Sequence, residues 1–139
     1  MAQQVREIMT SAPVSVDPGT SVAEVARRMR DEDIGAVLVT EGDEVRGLVT
    51  DRDLVVRVLC EGGDPDRHSV KEACSPELVS VSPDDEVDRA ARMMREHSVR
   101  RVPVLENGRA VGIVSLGDLA IERDPESALG DISSTKSNR

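Results

Sequence analysis

The chain contains an internal duplication. When the sequence is shifted by 65 residues, Val5–Val55 lies over Val70–Ala120 without a gap, and 18 of those 51 positions are identical. An ungapped match of this length indicates two copies of one folding unit. Two copies seldom make a solenoid, and a unit of about 55 residues buries too little apolar surface to be secure alone. We therefore expect the copies to pack on each other as a pseudo-symmetric pair.

The same order of elements is predicted in each copy: a helical lead-in, a short strand, an amphipathic helix, two strands joined by a tight turn, and a final helix. The predicted strands are Val14–Val16, Ala36–Thr40 and Val45–Thr50, then Val79–Val81, Val102–Leu105 and Ala110–Ser115. The amphipathic helices carry apolar residues at spacings of three and four, namely Val22, Val25, Ala26 and Met29, then Val87, Ala90, Ala91 and Met94. The final helices are Asp51–Cys60 and Leu116–Glu122, and the lead-ins are Val5–Met9 and Val70–Cys74.

The predicted fold class is α+β, with two tandem β-α-β-β-α units packed as a pseudo-twofold pair through their sheets. The strand–helix–strand part gives a parallel pair and the hairpin an antiparallel pair, so each sheet is mixed. The units cover residues 5–60 and 70–122. Residues 61–69 form a polar linker rich in Gly and Pro, and the Asp- and Ser-rich residues 123–139 are predicted to be a disordered tail.

Composition excludes several classes of function. The net charge is −9, and there is no Trp, Tyr or Phe, so the chain lacks the basic surface and the stacking side chains that nucleic-acid binding requires. No apolar run approaches the roughly 18 residues of a membrane-spanning helix. The first residues lack the apolar core of a signal peptide, and we therefore expect a cytoplasmic location.

The two cysteines do not predict a metal or redox site. With His68 between them, Cys60 and Cys74 make a C-x7-H-x5-C pattern, which offers three ligands at spacings unlike those of zinc sites. We expect buried or partly buried thiols instead. The sequence also contains no nucleophile–base pair and no phosphate-binding P-loop, so an enzyme is not expected.

Each copy ends its last strand in a hydroxyl residue, with a carboxylate three positions later. The pairs are Thr50 with Asp53 and Ser115 with Asp118. On local sequence alone, this pattern favours a helix cap. The alternative is a binding site, because a helix N-terminus attracts a phosphate, the hydroxyl can donate to it, and the carboxylate can accept from a ribose diol.

A glycine precedes each pair within the strand. Gly47 and Gly112 occupy equivalent positions, and a strand glycine permits close approach by a ligand or by another backbone segment. Either occupant is compatible with the sequence.

Taken together, the duplication, the order of elements and the motif G-h-x-[ST]-x-x-D in both copies resemble the CBS domain, named for cystathionine β-synthase. Two such domains form a Bateman module. The matching segments are Ile34–Val39, Thr50–Leu54, Val99–Val104 and Gly112–Asp118. The resemblance extends from Val5 to Glu122.

This resemblance implies two clefts between the paired sheets that take AMP, ADP, ATP or S-adenosylmethionine as a regulatory ligand, with no obligatory cofactor. Thr50 and Ser115 would bind phosphate, and Asp53 and Asp118 would bind ribose. The adenine would lie against strand residues, namely Val14, Val16, Ile34, Ala36, Val79, Val81 and Val99. The family also implies a homodimer that acts on a protein partner of unknown identity.

The two sites are not expected to be equal. Arg100 and Arg101 stand where the first copy has Gly35 and Ala36, and guanidinium groups suit phosphate recognition. A solvated or self-paired basic strip is the alternative. We predict that the second-copy site binds more tightly. The predicted function is that of a regulatory adenosyl-ligand module; the alternative is a constitutive dimeric interaction or structural protein whose clefts are empty.

Overall fold

The structure is a computed structural model that describes residues 3–75, 78–123 and 126–134. These residues form two compact units. The central unit comprises residues 14–78, and the terminal unit comprises residues 3–13 with residues 79–134.

The strands are β1 (Thr10–Ser11), β2 (Ser15–Val16), β3 (Ala36–Glu41), β4 (Glu44–Thr50), β5 (Arg101–Glu106) and β6 (Arg109–Ser115). The α-helices are α1 (Val22–Glu32), α2 (Asp51–Arg57), α3 (Val87–His97), α4 (Leu116–Arg123) and α5 (Ala128–Ser133). Short 3₁₀ turns occupy Val5–Glu7, Leu59–Glu61 and Val70–Ala73. The predicted α+β class is confirmed.

The central unit is built on a three-stranded sheet in the order β2-β3-β4. Strand β2 runs parallel to β3, to which α1 connects it, and β3 and β4 form the antiparallel hairpin. The buried side of α1 carries Val22, Val25 and Met29, whereas Ala26 is exposed. These side chains pack with Val37, Val39, Val49 and Leu54 into one apolar core.

The terminal unit repeats this plan with one change. Its sheet has the order β1-β6-β5, and all of these pairs are antiparallel. The predicted strand Val79–Val81 is reduced to a single parallel bridge between Val81 and Val104. Its core joins Val5, Val81, Val87, Ala90, Met94, Val102, Val104, Val114 and Leu119.

Each compact unit takes its lead-in from the other copy of the repeat. Val5 is completely buried in the terminal unit, where its amide donates to Asp85 O at 2.8 Å. Val70 is completely buried in the central unit, where its amide donates to Thr20 O at 2.7 Å. The predicted ranges 5–60 and 70–122 follow the repeat of the sequence, and the compact units are offset from it by one lead-in.

Some elements differ from those predicted. The helix predicted for Asp51–Cys60 ends at Arg57, and a 3₁₀ turn follows it. Strand β1 was not predicted, because two polar residues carry no alternating apolar pattern. Within the predicted disordered tail, the structure has α5, with the Ser127 hydroxyl accepting from Gly130 N at 3.0 Å. Residues 124, 125 and 135–139 of that tail lie outside the described residues.

Candidate functional site

The Thr50–Asp53 turn is a capping box at the start of α2. Asp53 N donates to Thr50 Oγ1 at 3.2 Å, and Thr50 N donates to Asp53 Oδ2 at 2.9 Å. The Thr50 hydroxyl also donates to Asp53 Oδ2 at 3.0 Å. The first amide of the helix, Asp51 N, donates to Gly35 O at 3.0 Å. The cap predicted from local sequence is therefore present, and it satisfies amides that a bound anion would otherwise accept from.

The Ser115–Asp118 turn repeats this geometry at the start of α4. Asp118 N donates to Ser115 Oγ at 3.1 Å, and Ser115 N donates to Asp118 Oδ2 at 2.8 Å. The amide of Leu116 donates to Arg100 O at 2.8 Å. Burial raises the pKa of the Asp118 carboxyl, and the backbone and side-chain hydrogen bonds from Ser115 offset part of that rise.

The second oxygen of each carboxylate has a different environment. Asp53 Oδ1 accepts from Arg57 Nε at 3.4 Å, an i,i+4 pair within α2. No hydrogen-bond donor lies on Asp118 Oδ1 among the residues that the structure describes. A diol could therefore donate to Asp118 without displacing a cation, whereas Asp53 would have to share Arg57.

Arg101 lies beside the Ser115 turn. In the β5–β6 ladder its Cα is paired with that of Ser115, and side chains directly opposite in an antiparallel pair point to the same face, about 5 Å apart at Cβ. The equivalent partner of Thr50 is Ala36. Within residues 3–75, 78–123 and 126–134, neither Arg100 nor Arg101 forms an ion pair, so the strip is not self-paired.

The glycine before each turn is approached by protein. A Cβ on Gly112 would lie 2.8 Å from Thr10 O and 2.6 Å from Met9 Sδ, and one on Gly47 would lie 3.2 Å from Cys74 Sγ. These contacts come from the lead-ins, whose residues Met9 and Cys74 are themselves equivalent, and for Thr10 from strand β1. Of the two occupants considered for a strand glycine, the neighbouring chain segment is the one found.

The strand positions predicted to face adenine fall into two groups. Val16 and Val81 are only 8% and 4% exposed, and their side chains belong to the cores. The others are partly or well exposed, namely Val14, Ile34, Ala36, Val79 and Val99. Only this second group leaves side-chain surface for a ligand.

An open pocket of about 370 Å³ in the central unit was not predicted. It lies at the carboxyl ends of the parallel strands β2 and β3, next to the first turns of α1. Its lining is polar apart from one valine, namely Ser15, Val16, Asp17, Thr20, Glu24, Arg28 and Thr40. Polar residues after two parallel strands are the signal that could have revealed it.

Cys60 and Cys74 are both free thiols and do not form a disulfide. Cys60 is exposed, contrary to the prediction of a buried or partly buried thiol, and Cys74 is half-buried. Burial, with a further contribution from the Asp53 charge, raises the pKa of the Cys74 thiol. In the described part of the chain, no three His, Cys, Asp or Glu side chains are placed to hold a metal ion.

Comparison with known proteins identifies the repeat. A sequence model of the CBS domain matches the chain twice, over residues 5–59 and 70–123. The CBS domain-containing protein YhcV of Bacillus subtilis is 35% identical over 126 residues, which cover 91% of this chain and 89% of that protein. Hypoxic response protein 1 of Mycobacterium tuberculosis is 34% identical over 116 residues, covering 83% and 81%. Neither of these two names is that of an enzyme.

Solved structures share the fold. The crystal structure of hypoxic response protein I, with two coordinated zinc ions, superposes with a TM-score of 0.78 at 33% identity and covers 86% of this chain and 98% of its own. A hexameric CBS-CP12 protein from bloom-forming cyanobacteria gives 0.79 at 30% identity, covering 90% and 74%. The CBS domain pair of protein MJ0100, in complex with 5-methylthioadenosine and S-adenosyl-L-methionine, gives 0.77 at 21% identity, covering 86% and 94%. No helix in the described part of this chain is both long and apolar enough to cross a membrane.

Proposed function

This chain belongs to the CBS domain family, and we propose that it is a non-enzymatic regulatory module that binds an adenosyl ligand at the two strand-to-helix turns. The ligand class is AMP, ADP, ATP or S-adenosylmethionine. The CBS pair of MJ0100 binds two adenosyl compounds, which supports the class of ligand. It does not select one compound for this chain.

The observation that carries the proposal is the side-by-side placement of Arg101 and Ser115 at the start of α4. An arginine directly opposite a hydroxyl residue, with no ion pair among the described residues, suits a phosphate group. Asp118, one helical turn on, keeps one carboxylate oxygen for a ribose diol. The partly exposed Val79 and the exposed Val99 would provide apolar contact for the base.

The Thr50–Asp53 turn of the central unit would bind the same class of ligand, but with fewer positively charged side chains. Thr50 and Asp53 take the phosphate and ribose roles there, and Val14, Ile34 and Ala36 are the candidate base contacts. Because Ala36 replaces Arg101 and Arg57 engages Asp53, we propose that this site prefers the less highly charged ligands and binds them less tightly.

The proposed output is a change in assembly or in contact with a protein partner. The helix α2 and the turn after it expose Val55, Val56 and Leu59, at 53%, 41% and 48% of their surface. Apolar groups spaced this way suit a helix–helix contact, and we propose a cytoplasmic homodimer. A ligand that binds one arrangement of the assembly better than another shifts its population.

Ligand binding can be tested directly. The chain has no Trp, Tyr or Phe, so the purified protein absorbs little at 280 nm and a co-purified adenine compound shows at 260 nm. Calorimetry with AMP, ADP, ATP and S-adenosylmethionine then measures affinity. We expect Arg101→Ala to weaken ATP binding about ten-fold or more, the loss expected for a charged hydrogen bond.

Arg46→Ala is the matched control, because it removes the same charge from the exposed hairpin of the central unit. It should leave ATP binding unchanged. Asp118→Ala should abolish binding at the terminal-unit turn, and Asp53→Ala should abolish binding at the central-unit turn. The two variants therefore show which site accounts for which part of the measured binding. Absence of binding by all four compounds to the wild-type protein would refute the proposal.

A constitutive structural protein is the second candidate. It is favoured by the capping boxes, in which Thr50 and Ser115 already satisfy helix amides. If the protein is structural, Asp118→Ala lowers the free energy of unfolding, and neither this variant nor the wild type binds ATP. Parallel measurement of unfolding and of ATP binding on the same variant separates the two candidates.

A further inference from the structure

The short helix α5 packs against α4, at the turn that carries Ser115 and Asp118. A Cβ placed on Gly117 would lie 2.8 Å from Ser133 Oγ, 3.0 Å from Ser133 Cβ and 3.6 Å from Ser115 Oγ. The end of α5 and the Ser115 hydroxyl therefore both lie against the same point of α4, at Gly117. Arg52, the residue equivalent to Gly117 in the central unit, is exposed.

The attachment of α5 buries little apolar surface. Ser133 is half-buried against Gly117 of α4, and Gly130, three residues earlier and so on the same face of α5, is buried. Leu129 and Ile132 remain 46% and 58% exposed. A helix of six residues is too short to be stable on its own. It is thus held by small residues against one surface, and it can leave at little cost in free energy.

We propose that α5 is a strap that closes the Ser115–Asp118 turn and must move away before an adenosyl ligand can bind there. This inference rests on the proposed function. A ligand phosphate placed on Ser115 Oγ and Arg101 would need the space that Ser133 takes. The cost of opening the strap lowers the apparent affinity by the fraction of open molecules.

The burial that raises the pKa of Asp118 is consistent with a closed turn. The strap also makes the two copies of the repeat respond differently, since in the described part of the chain α5 has no counterpart at Arg52, the exposed residue of the central unit that is equivalent to Gly117. Ligand would therefore fill the central-unit site without moving α5, and would fill the terminal-unit site only as α5 leaves.

Three glutamine substitutions in one helix test the strap in the full chain. Gly130→Gln and Ser133→Gln place a bulky neutral side chain on the side towards α4, and Leu129→Gln places the same side chain on the exposed side. All are made with Asp53→Ala, so that binding reports the terminal-unit site. We expect the first two to tighten ATP binding by about five-fold or more, a typical coupling between two states, and Leu129→Gln to change nothing.

A reversible crosslink tests the opposite direction. A Cβ placed on Gly117 would lie 3.0 Å from Ser133 Cβ, which is closer than the roughly 3.5–4.5 Å usual in disulfides, so a bridge forms after a small outward shift of α5. The double variant Gly117→Cys, Ser133→Cys, made with Cys60→Ser, Cys74→Ala and Asp53→Ala, should lose ATP binding when oxidised. Reduction should restore it.

The outcomes are distinguishable. Equal ATP affinity in the three glutamine variants, together with full binding by the oxidised double variant, overturns the strap while the ligand site stands. No binding of ATP, AMP or S-adenosylmethionine by the wild-type chain or by Ser133→Gln overturns the proposed function and the strap with it. Binding that appears only in Gly130→Gln and Ser133→Gln supports both.

Discussion

Replacing Gly112 by alanine would force β1 away from β6. The new Cβ would lie 2.8 Å from the carbonyl oxygen of Thr10, and 2.6 and 2.9 Å from Met9 Sδ and Cγ. A flexible methionine can turn away, but the carbonyl oxygen belongs to the strand that pairs with β6 at Thr10–Ile113 and Ser11–Gly112. Relief therefore requires a shift of backbone.

The magnitude follows from two opposing effects. Overpacking a well-packed site costs about 1–3 kcal/mol, and replacing glycine by alanine returns about 0.4–1 kcal/mol by restricting the unfolded chain. We expect a net loss of about 1–2 kcal/mol. Gly47→Ala is the matched control from the other copy, because its Cβ meets only the Cys74 side chain, at 3.2 and 3.5 Å, and it should stay within about 0.5 kcal/mol of wild type.

Urea unfolding followed by far-ultraviolet circular dichroism provides the measurement, since the chain has no aromatic residue for fluorescence. With a slope of about 2 kcal/mol/M, the midpoint of Gly112→Ala should fall by about 0.5–1 M. Amide exchange should report loss of protection at Ile113, whose Cα pairs with that of Thr10.

Two results would contradict the expected clash between the new Cβ of Gly112→Ala and the Thr10 carbonyl. One is a Gly112→Ala midpoint equal to that of wild type at unchanged slope, because the β1–β6 contact would then be loose. The other is full rescue of Gly112→Ala by Met9→Ala, because only the side chain, and not the Thr10 carbonyl, would then have been in the way.

Three further perturbations have defined outcomes in the same assay. Thr50→Val removes the hydroxyl that caps α2 and should cost about 1 kcal/mol, whereas Thr50→Ser should not. Because burial raises the pKa of Asp118 above 3.8, the folded protein holds that proton more tightly than the unfolded chain; wild-type stability should fall relative to Asp118→Asn as pH rises from 3.8 through the folded pKa. Ser98 has φ 54° at the end of α3, so Ser98→Gly should gain up to about 1 kcal/mol.

The repeat predicted the elements well because it supplied the same pattern twice. The hairpin turn at Asn107 and Gly108 has φ of 55° and 82°, the conformation that an Asn-Gly pair adopts readily. The exchange of lead-ins could not be predicted in the same way. Val5 and Val70 are equivalent residues with equivalent pockets, so the local pattern does not say which copy receives which lead-in.

The sequence predicted which residues form the two turns of the candidate site, but it did not predict which other parts of the chain lie against them. The carboxylate three residues after a hydroxyl indicated a cap, and both caps are present. The contact of α5 with the second turn could not be predicted from the sequence. Leu129 and Ile132 are exposed, and α5 shows no apolar stripe. A contact made through Gly130 and Ser133 is invisible to hydrophobic periodicity.

The two copies of the turn have the same geometry but differ in where the nearest arginine lies. In the central unit the cation comes from the helix, because Arg57 reaches back to Asp53. At the equivalent position the terminal unit has Glu122, and its cation comes from the strand, at Arg101. Because the arginine lies on the strand, Asp118 Oδ1 has no hydrogen-bond donor among the described residues, and Arg101 is the residue opposite Ser115 in the ladder. In the proposed site, that exchange would separate the group that accepts a diol from the groups that bind phosphate, and on this ground we propose the terminal turn as the tighter site once its strap has opened.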